Sequence, residues 1–212
     1  TFKIEEYLPK LVVINTETGR ILPEKRPDIY MFEKVGDKTT LLGNEVEILE
    51  YLPEAAVMSD SAFASAVTYH GDGAATALKV RISNSELKEP IVGWVSNGSY
   101  VFPYKVLYID NQTSLAMPVQ EVKKYTSHVT VMTESGYSKK AAIEVNSPLT
   151  IDNWKIYQFS YDESMGKYSK TSVFELVYDP WLKIVYAGIF MLLAGSLFLF
   201  IMGPIKKEKA QK

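Results

Sequence analysis

Apolar and polar side chains alternate at period two along several stretches of this 212-residue chain, and one unbroken apolar run lies near its end. Lys10 to Asn15, Ala77 to Ser83, His128 to Thr133, Trp154 to Asp162 and Thr171 to Tyr178 join that alternation to β-branched and aromatic residues, which predicts strands. Asn97-Gly98, between GWVS and SYVF, predicts a two-residue hairpin, and Ser135-Gly136 is expected to join SHVTVMT to a strand around Ile143. In the strand at Trp154, the side chains of Trp154, Ile156, Gln158 and Ser160 are expected on one face and Tyr157, Phe159 and Tyr161 on the other. Bulk on both faces points to a strand inside a sandwich or against a neighbouring subunit. Residues 53–75, rich in Ala and Ser with Gly71 and Gly73, read as an irregular connection where the domain would divide. LKVRISNSELKEPIVGW (78–94) and IEVNSPLTIDNW (143–154) each pair a strand with a Pro-containing turn and a Trp, by two related β-units or by chance. The fold class is therefore mainly β, a β-sandwich-like domain over 1–180 followed by one C-terminal helix.

That helix is predicted by IVYAGIFMLLAGSLFLFIM, Ile184 to Met202, which carries no charge. A hydrocarbon core about 30 Å thick needs roughly 20 such residues, and in lipid the backbone bonds itself only as a helix. The span is expected over 181–203, ended by Gly203-Pro204, with a basic tail at 204–212. Lys206, Lys207, Lys209 and Lys212 follow the run and only Lys183 immediately precedes it, so the C-terminus is expected in the cytoplasm and the β-domain outside. Trp181 and Tyr186 suit the outer interface. Ala187, Gly188, Ala194 and Gly195 share a face that would admit a partner helix closely, although small residues are also simply common in membrane helices. No charged segment followed by an apolar one precedes Phe2, so the numbering is expected to start on a processed or shortened chain.

Charge and composition narrow the functional classes. Lys and Arg number 23 and Asp and Glu 25, which leaves no broad basic field for nucleic acid. The absence of cysteine excludes disulfides, zinc-thiolate sites and thiol chemistry in this chain. His70 and His128 stand alone, and one histidine with a nearby carboxylate does not make a metal site. No nucleophile elbow, HExxH helix, Walker loop or dinucleotide fingerprint is present, so no catalytic residue is assigned. The methionines read as packing groups rather than haem ligands. Asn97-Gly98-Ser99 and Asn111-Gln112-Thr113 match the glycosylation pattern at about the frequency chance allows.

The order of motifs near the end carries a resemblance. V-N-x-P-L at Val145 to Leu149, the strand W-x-I-Y-Q-x-S-Y at Trp154 to Tyr161, and Asp179-Pro180 followed by VYAG entering the helix resemble the ResB family of cytochrome c biogenesis proteins. FKIEEYLP at Phe2 to Pro9 resembles the start of that family's extracytoplasmic domain, and the middle matches only in strand character. The resemblance singles out Asn146, Pro148, Leu149, Trp154, Tyr157, Gln158, Tyr161, Asp179 and Pro180. Bland roles compete for them: Pro148 fixing a turn, Trp154 filling a core, Gln158 satisfying backbone groups. It further implies a non-catalytic subunit of a cytochrome c maturation complex in the inner membrane. The implied partners are a ResC/CcsA-type haem-handling protein and apocytochrome c, with haem reached through the partner and none bound by this chain alone. The alternative is an accessory scaffold of a respiratory or multihaem electron-transfer complex. Members of the family carry further membrane helices before this domain, some with a histidine in the membrane, and the present sequence shows neither.

Overall fold

Period-two patterning with β-branched residues on the inward side yields strands throughout, apart from one short 3-10 segment and the apolar helix. A computed structural model describes residues 1–58, 65–134 and 136–203. In chain order the strands are β1 (Phe2–Glu6), β2 (Lys10–Asn15), β3 (Ile21–Leu22), β4 (Ile29–Met31), β5 (Lys38–Leu41), β6 (Asn44–Met58), β7 (Ser65–Thr68) and β8 (Ala75–Ser83). They continue as β9 (Ile91–Ser96), β10 (Leu107–Tyr108), β11 (Thr113–Ala116), β12 (Val122–Met132), β13 (Ser138–Glu144), β14 (Leu149–Ile151), β15 (Trp154–Tyr161) and β16 (Ser172–Tyr178). The 3-10 segment is Glu163–Tyr168, and the helix is α1 (Leu182–Met202).

Two β-units result. In the larger, the sheet β10-β11-β2-β3, with β4 also on β2, packs against the sheet β5-β6-β8-β9, with β7 on β6. Leu11 and Val13 of β2 and Leu115 of β11 meet Val46, Ile48, Leu78, Val80, Ile82 and Val95 of the opposite sheet in one buried cluster. The smaller unit sets the sheet β1-β12-β13 against β14-β15-β16. Val129, Val131, Ile143, Ile156 and Phe174 line the space between them, which opens to a groove at Leu176, and a polar pin joins the two sheets. Ser127 Oγ donates to Gln158 Oε1 and also lies 2.7 Å from Ser172 Oγ, and Gln158 Nε2 donates to the Ser160 carbonyl at 3.0 Å.

Several expectations need correction. Residues 53–75 are not an irregular connection: β6 continues to Met58 and pairs with both β7 and β8, so one sheet runs across much of this stretch. Asn97-Gly98 does not form a two-residue hairpin. The chain does fold back, with Ser96 bridging Lys105, but SYVF is loop because Ser99 Oγ accepts the N–H groups of Val101 and Phe102 and tightens a turn there. A β-bulge between Gln158 and Ser160 reverses the predicted faces beyond it. Tyr161 thereby joins the inner face of Gln158, 5.5 Å from the Phe2 ring and 5.2 Å from Tyr125. The Ser135-Gly136 turn falls partly outside the described residues, as do Pro204 and the basic tail.

Helix α1 is long and apolar enough to cross a membrane, and none of its residues is buried against the β-units. At 1.5 Å per residue it spans roughly 30 Å, the thickness of a hydrocarbon core, and so provides a membrane anchor. Asp179 Oδ1 accepts the Trp181 N–H at 3.1 Å, turning the chain from β16 into the helix. Gly203, at φ 62°, ends it by donating to the Leu199 carbonyl at 3.1 Å.

Leu78 lies at the centre of the large unit with no exposed surface, so Leu78→Ala should cost about 2–5 kcal/mol through lost burial and a residual cavity. Val92→Ala, half-exposed on the neighbouring β9, should stay within about 0.5 kcal/mol. Chemical denaturation of the full chain in mild detergent measures both.

Candidate functional site

The two β-units meet along a seam, and a concavity with convergent polar groups opens there. It has a volume of about 340 Å³, and all of its lining residues except Glu6, Ala74 and Thr76 come from two segments, the loop after β9 with nearby Val119 and the 3-10 segment Glu163–Tyr168. Local chemistry builds both segments. Asn97 Oδ1 accepts the Thr76 N–H at 3.2 Å while its amide donates to Gln120 Oε1 at 3.2 Å, and Ser99 Oγ donates to the Gly73 carbonyl at 2.5 Å. Gly98 is required by its backbone, since φ is +68° and a Cβ would stand 2.7 Å from the Tyr104 nitrogen. On the other wall, Asp162 caps the 3-10 segment by accepting from the Ser164 N–H and hydroxyl. That wall is tied to the large unit where Lys167 Nζ donates to the Pro53 carbonyl at 3.2 Å and Lys170 pairs with Asp72.

Two groups in the cleft are electrostatically unusual. Burial raises the Glu6 carboxyl above its ordinary value, and Lys167 offsets part of that rise. Burial, followed by the fields of Glu54, Glu6, Asp72 and Tyr100, pushes the Tyr168 hydroxyl up to about 12. The Tyr168 hydroxyl is also buried with no hydrogen-bond partner among the described residues. The cleft therefore offers a desolvated carboxyl, an ammonium and the exposed ring of Tyr100. Such a set suits binding of a polar, extended segment.

The residues singled out in the sequence do not converge on this cleft. Asn146 is exposed in the two-residue turn between Glu144 and Ser147, which bridge each other. Pro148 and Leu149 are half-buried just after it, and Leu149 pairs with Ile156. Trp154 does not fill a core: it is 45% exposed and packs on Tyr178 of β16 with ring centroids 4.9 Å apart. Tyr157 is half-buried on the outer face, while Gln158 and Tyr161 pack between the small unit's sheets. Asp179 and Pro180 are exposed at the helix entry, and the Asp179 N–H donates to the Asn153 carbonyl at 3.3 Å. Ala187, Gly188, Ala194 and Gly195 face open space, with nothing within 4 Å of a Cβ added at either glycine. His70 is exposed and pairs with Glu54 at 2.8 Å, and His128 is exposed on β12. Among the described residues no group of three or more His, Asp or Glu side chains gathers as metal ligands do.

Residues 97–172 match the family model of the ResB-like family. Over this segment the chain is similar to that family. The match takes in V-N-x-P-L and the Trp154 to Tyr161 strand, and it reaches back through residues 97–142, where the sequence reading found strand character alone. Phe2 to Pro9, Asp179-Pro180 and VYAG lie outside it. The ResB-like family is associated in general with cytochrome c biogenesis. No curated protein matches the chain. The ResB-like segment supplies both principal walls of the cleft, from Asn97 to Tyr100 and from Glu163 to Tyr168.

Two consequences are measurable. Because the folded-state value of Glu6 lies above its unfolded one, its contribution to stability is present below the unfolded value of about 4.5 and is lost as pH rises through the folded one. Glu6→Gln should therefore gain stability over the parent chain as pH is raised from about 4.5 to neutrality, and denaturation midpoints across that range test it. Gln158→Ala should cost about 1–3 kcal/mol by leaving the buried Ser127 hydroxyl without its acceptor and the part-buried Ser160 carbonyl without its donor, with Gln158→Glu no substitute at neutral pH. Equilibrium unfolding of the two variants beside the parent checks this.

Proposed function

We propose that this chain is a membrane-anchored, non-catalytic subunit of a cytochrome c maturation complex. In this reading the β-units lie on the periplasmic or outer side of the inner membrane and the C-terminus is cytoplasmic. The chain works beside a ResC/CcsA-type haem-handling protein and presents apocytochrome c, with haem held by the partner. The carrying observation is that the ResB-like segment builds both principal walls of the inter-unit cleft, in a protein that also carries a membrane anchor.

The chemistry required is modest. An apocytochrome segment must be held extended while its thiols and histidine meet haem elsewhere, so a binding surface free of thiols and metal ligands avoids competing reactions. The cleft supplies hydrogen-bonding groups from Lys167 and Glu6 and an aromatic contact from Tyr100. Strands β13 and β16 lie at sheet edges, where main-chain groups can pair with an added strand.

Affinity purification from membranes in mild detergent, followed by mass spectrometry and a haem absorption spectrum, tests the assembly. Recovery of a multi-helix haem-binding protein supports the proposal. Recovery instead of mature multihaem cytochromes or a quinone enzyme would make the chain an accessory scaffold of an electron-transfer complex. Tyr100→Ala and Lys167→Ala should lower the yield of holocytochrome c at unchanged abundance of the chain, read by haem staining beside immunoblotting. Unchanged yield in both would remove the cleft as the working surface.

A further inference from the structure

The small unit ends in a cluster of exposed apolar and aromatic side chains on the side where the chain enters α1. Tyr178 is the last residue of β16, and only Asp179, Pro180 and Trp181 separate it from Leu182. Three residues reach at most roughly 10 Å. Trp154 is the cross-strand neighbour of Tyr178 and packs on its ring. The turn before Trp154 is tied to the helix entry by the Asp179 N–H to Asn153 carbonyl bond.

The β12–β13 hairpin reaches the same end. Met132 shares an apolar groove with Leu176, and Tyr137 shares a cleft with Ile151 and Asp152 of the turn before Trp154. Met132 is 76% exposed and Tyr137 53% exposed, though both stand beside well-packed strands. Exposed apolar and aromatic groups gathered beside the helix entry are suited to a non-aqueous neighbour.

The geometry of the span supplies that neighbour. A helix of α1's length fills the hydrocarbon thickness and leaves Leu182 at its outer boundary. The aromatic cluster then falls within the headgroup layer, where amphipathic rings are most favourable. We propose that this end of the small unit is seated in the bilayer interface, with Met132 and Tyr137 of the hairpin and Trp154 and Tyr178 of the β15–β16 pair as its contacts. Lys139, Lys155 and Lys183 are equalled in number there by Glu134, Asp152 and Asp179, so seating is driven by apolar and aromatic groups and is insensitive to salt. The proposal rests on α1 crossing the bilayer and is independent of what the cleft binds.

The chain has no cysteine, so single labelling sites can be introduced cleanly. Met132→Cys, Tyr137→Cys, Glu17→Cys at the far end of β2 and Ile184→Cys in the helix are each labelled with a small fluorophore. The full chain is then reconstituted into nanodiscs with or without lipid brominated on the acyl chain near the headgroup. Bromide quenching is expected at 132, 137 and 184 and absent at 17, in low and high salt alike. Quenching at 184 with none at 132 and 137 overturns the proposal and leaves the patch open to a protein partner. Absence of quenching at 184 overturns it together with the span on which it rests.

Discussion

Only three residues link the last strand to the membrane anchor, and that tether constrains everything the β-units can do. Pro180 fixes one of the three, and both the side chain and the N–H of Asp179 are engaged, to Trp181 and Asn153 respectively. A flexible linker would let the domain sample a wide volume above the membrane. Here the small unit is held against the surface, and the large unit follows because the seam is pinned by Lys167 to Pro53, Lys170 to Asp72, Lys10 to Glu121 and Gln120 to the Tyr7 carbonyl.

The small unit carries its rigidity in an unusual core. Its inner faces are short, and one central position is given to Gln158, almost wholly buried, rather than to an apolar residue. Gln158 accepts from Ser127 of the facing sheet, whose hydroxyl also meets Ser172, and turns its amide to the Ser160 carbonyl at the bulge. Burying an unmatched polar group costs more than its hydrogen bonds return, so such a network stabilises one register and penalises any slip. The bulge then delivers Tyr161 to Phe2 and Tyr125, joining the first strand of the chain to its last hairpin.

Legibility of this architecture in the sequence followed the regularity of each element. Strand β2 matches its predicted limits, β8, β15 and β16 lie within two residues of theirs, and α1 was marked by an uncharged run no other element shows. Strand β6 was hidden because bulges after Ile48 and Leu52 break its alternation and Pro53 sits inside it. Its hairpin with β5 turns on Leu42-Gly43, both at positive φ, where Leu42 gives none of the usual turn signal. The cleft was illegible for another reason: Glu6, Asn97 and Tyr168 are far apart in sequence, and neither the exposure of Trp154 nor the burial of Glu6 follows from local pattern. The V-N-x-P-L and Trp154 motifs that carried the family resemblance stand at structural positions, a tight turn and a cross-strand pair.

One hairpin connects the cleft to the membrane. At its far end β15 and β16 are joined by the 3-10 segment that walls the cleft, and at its near end lie Trp154, Tyr178 and the helix entry. From Ser172 to Tyr178 the strand covers six steps, roughly 20 Å at about 3.4 Å each. The 3-10 wall therefore stands no higher than about this distance, plus the short tether, above the interface. A bound segment of about six extended residues would bridge the gap from cleft to bilayer. A partner acting on that segment would then itself rise from the membrane close to α1. Cleft, spacer and anchor form one continuous stretch of chain, so the position of anything held in the cleft is set by strand geometry.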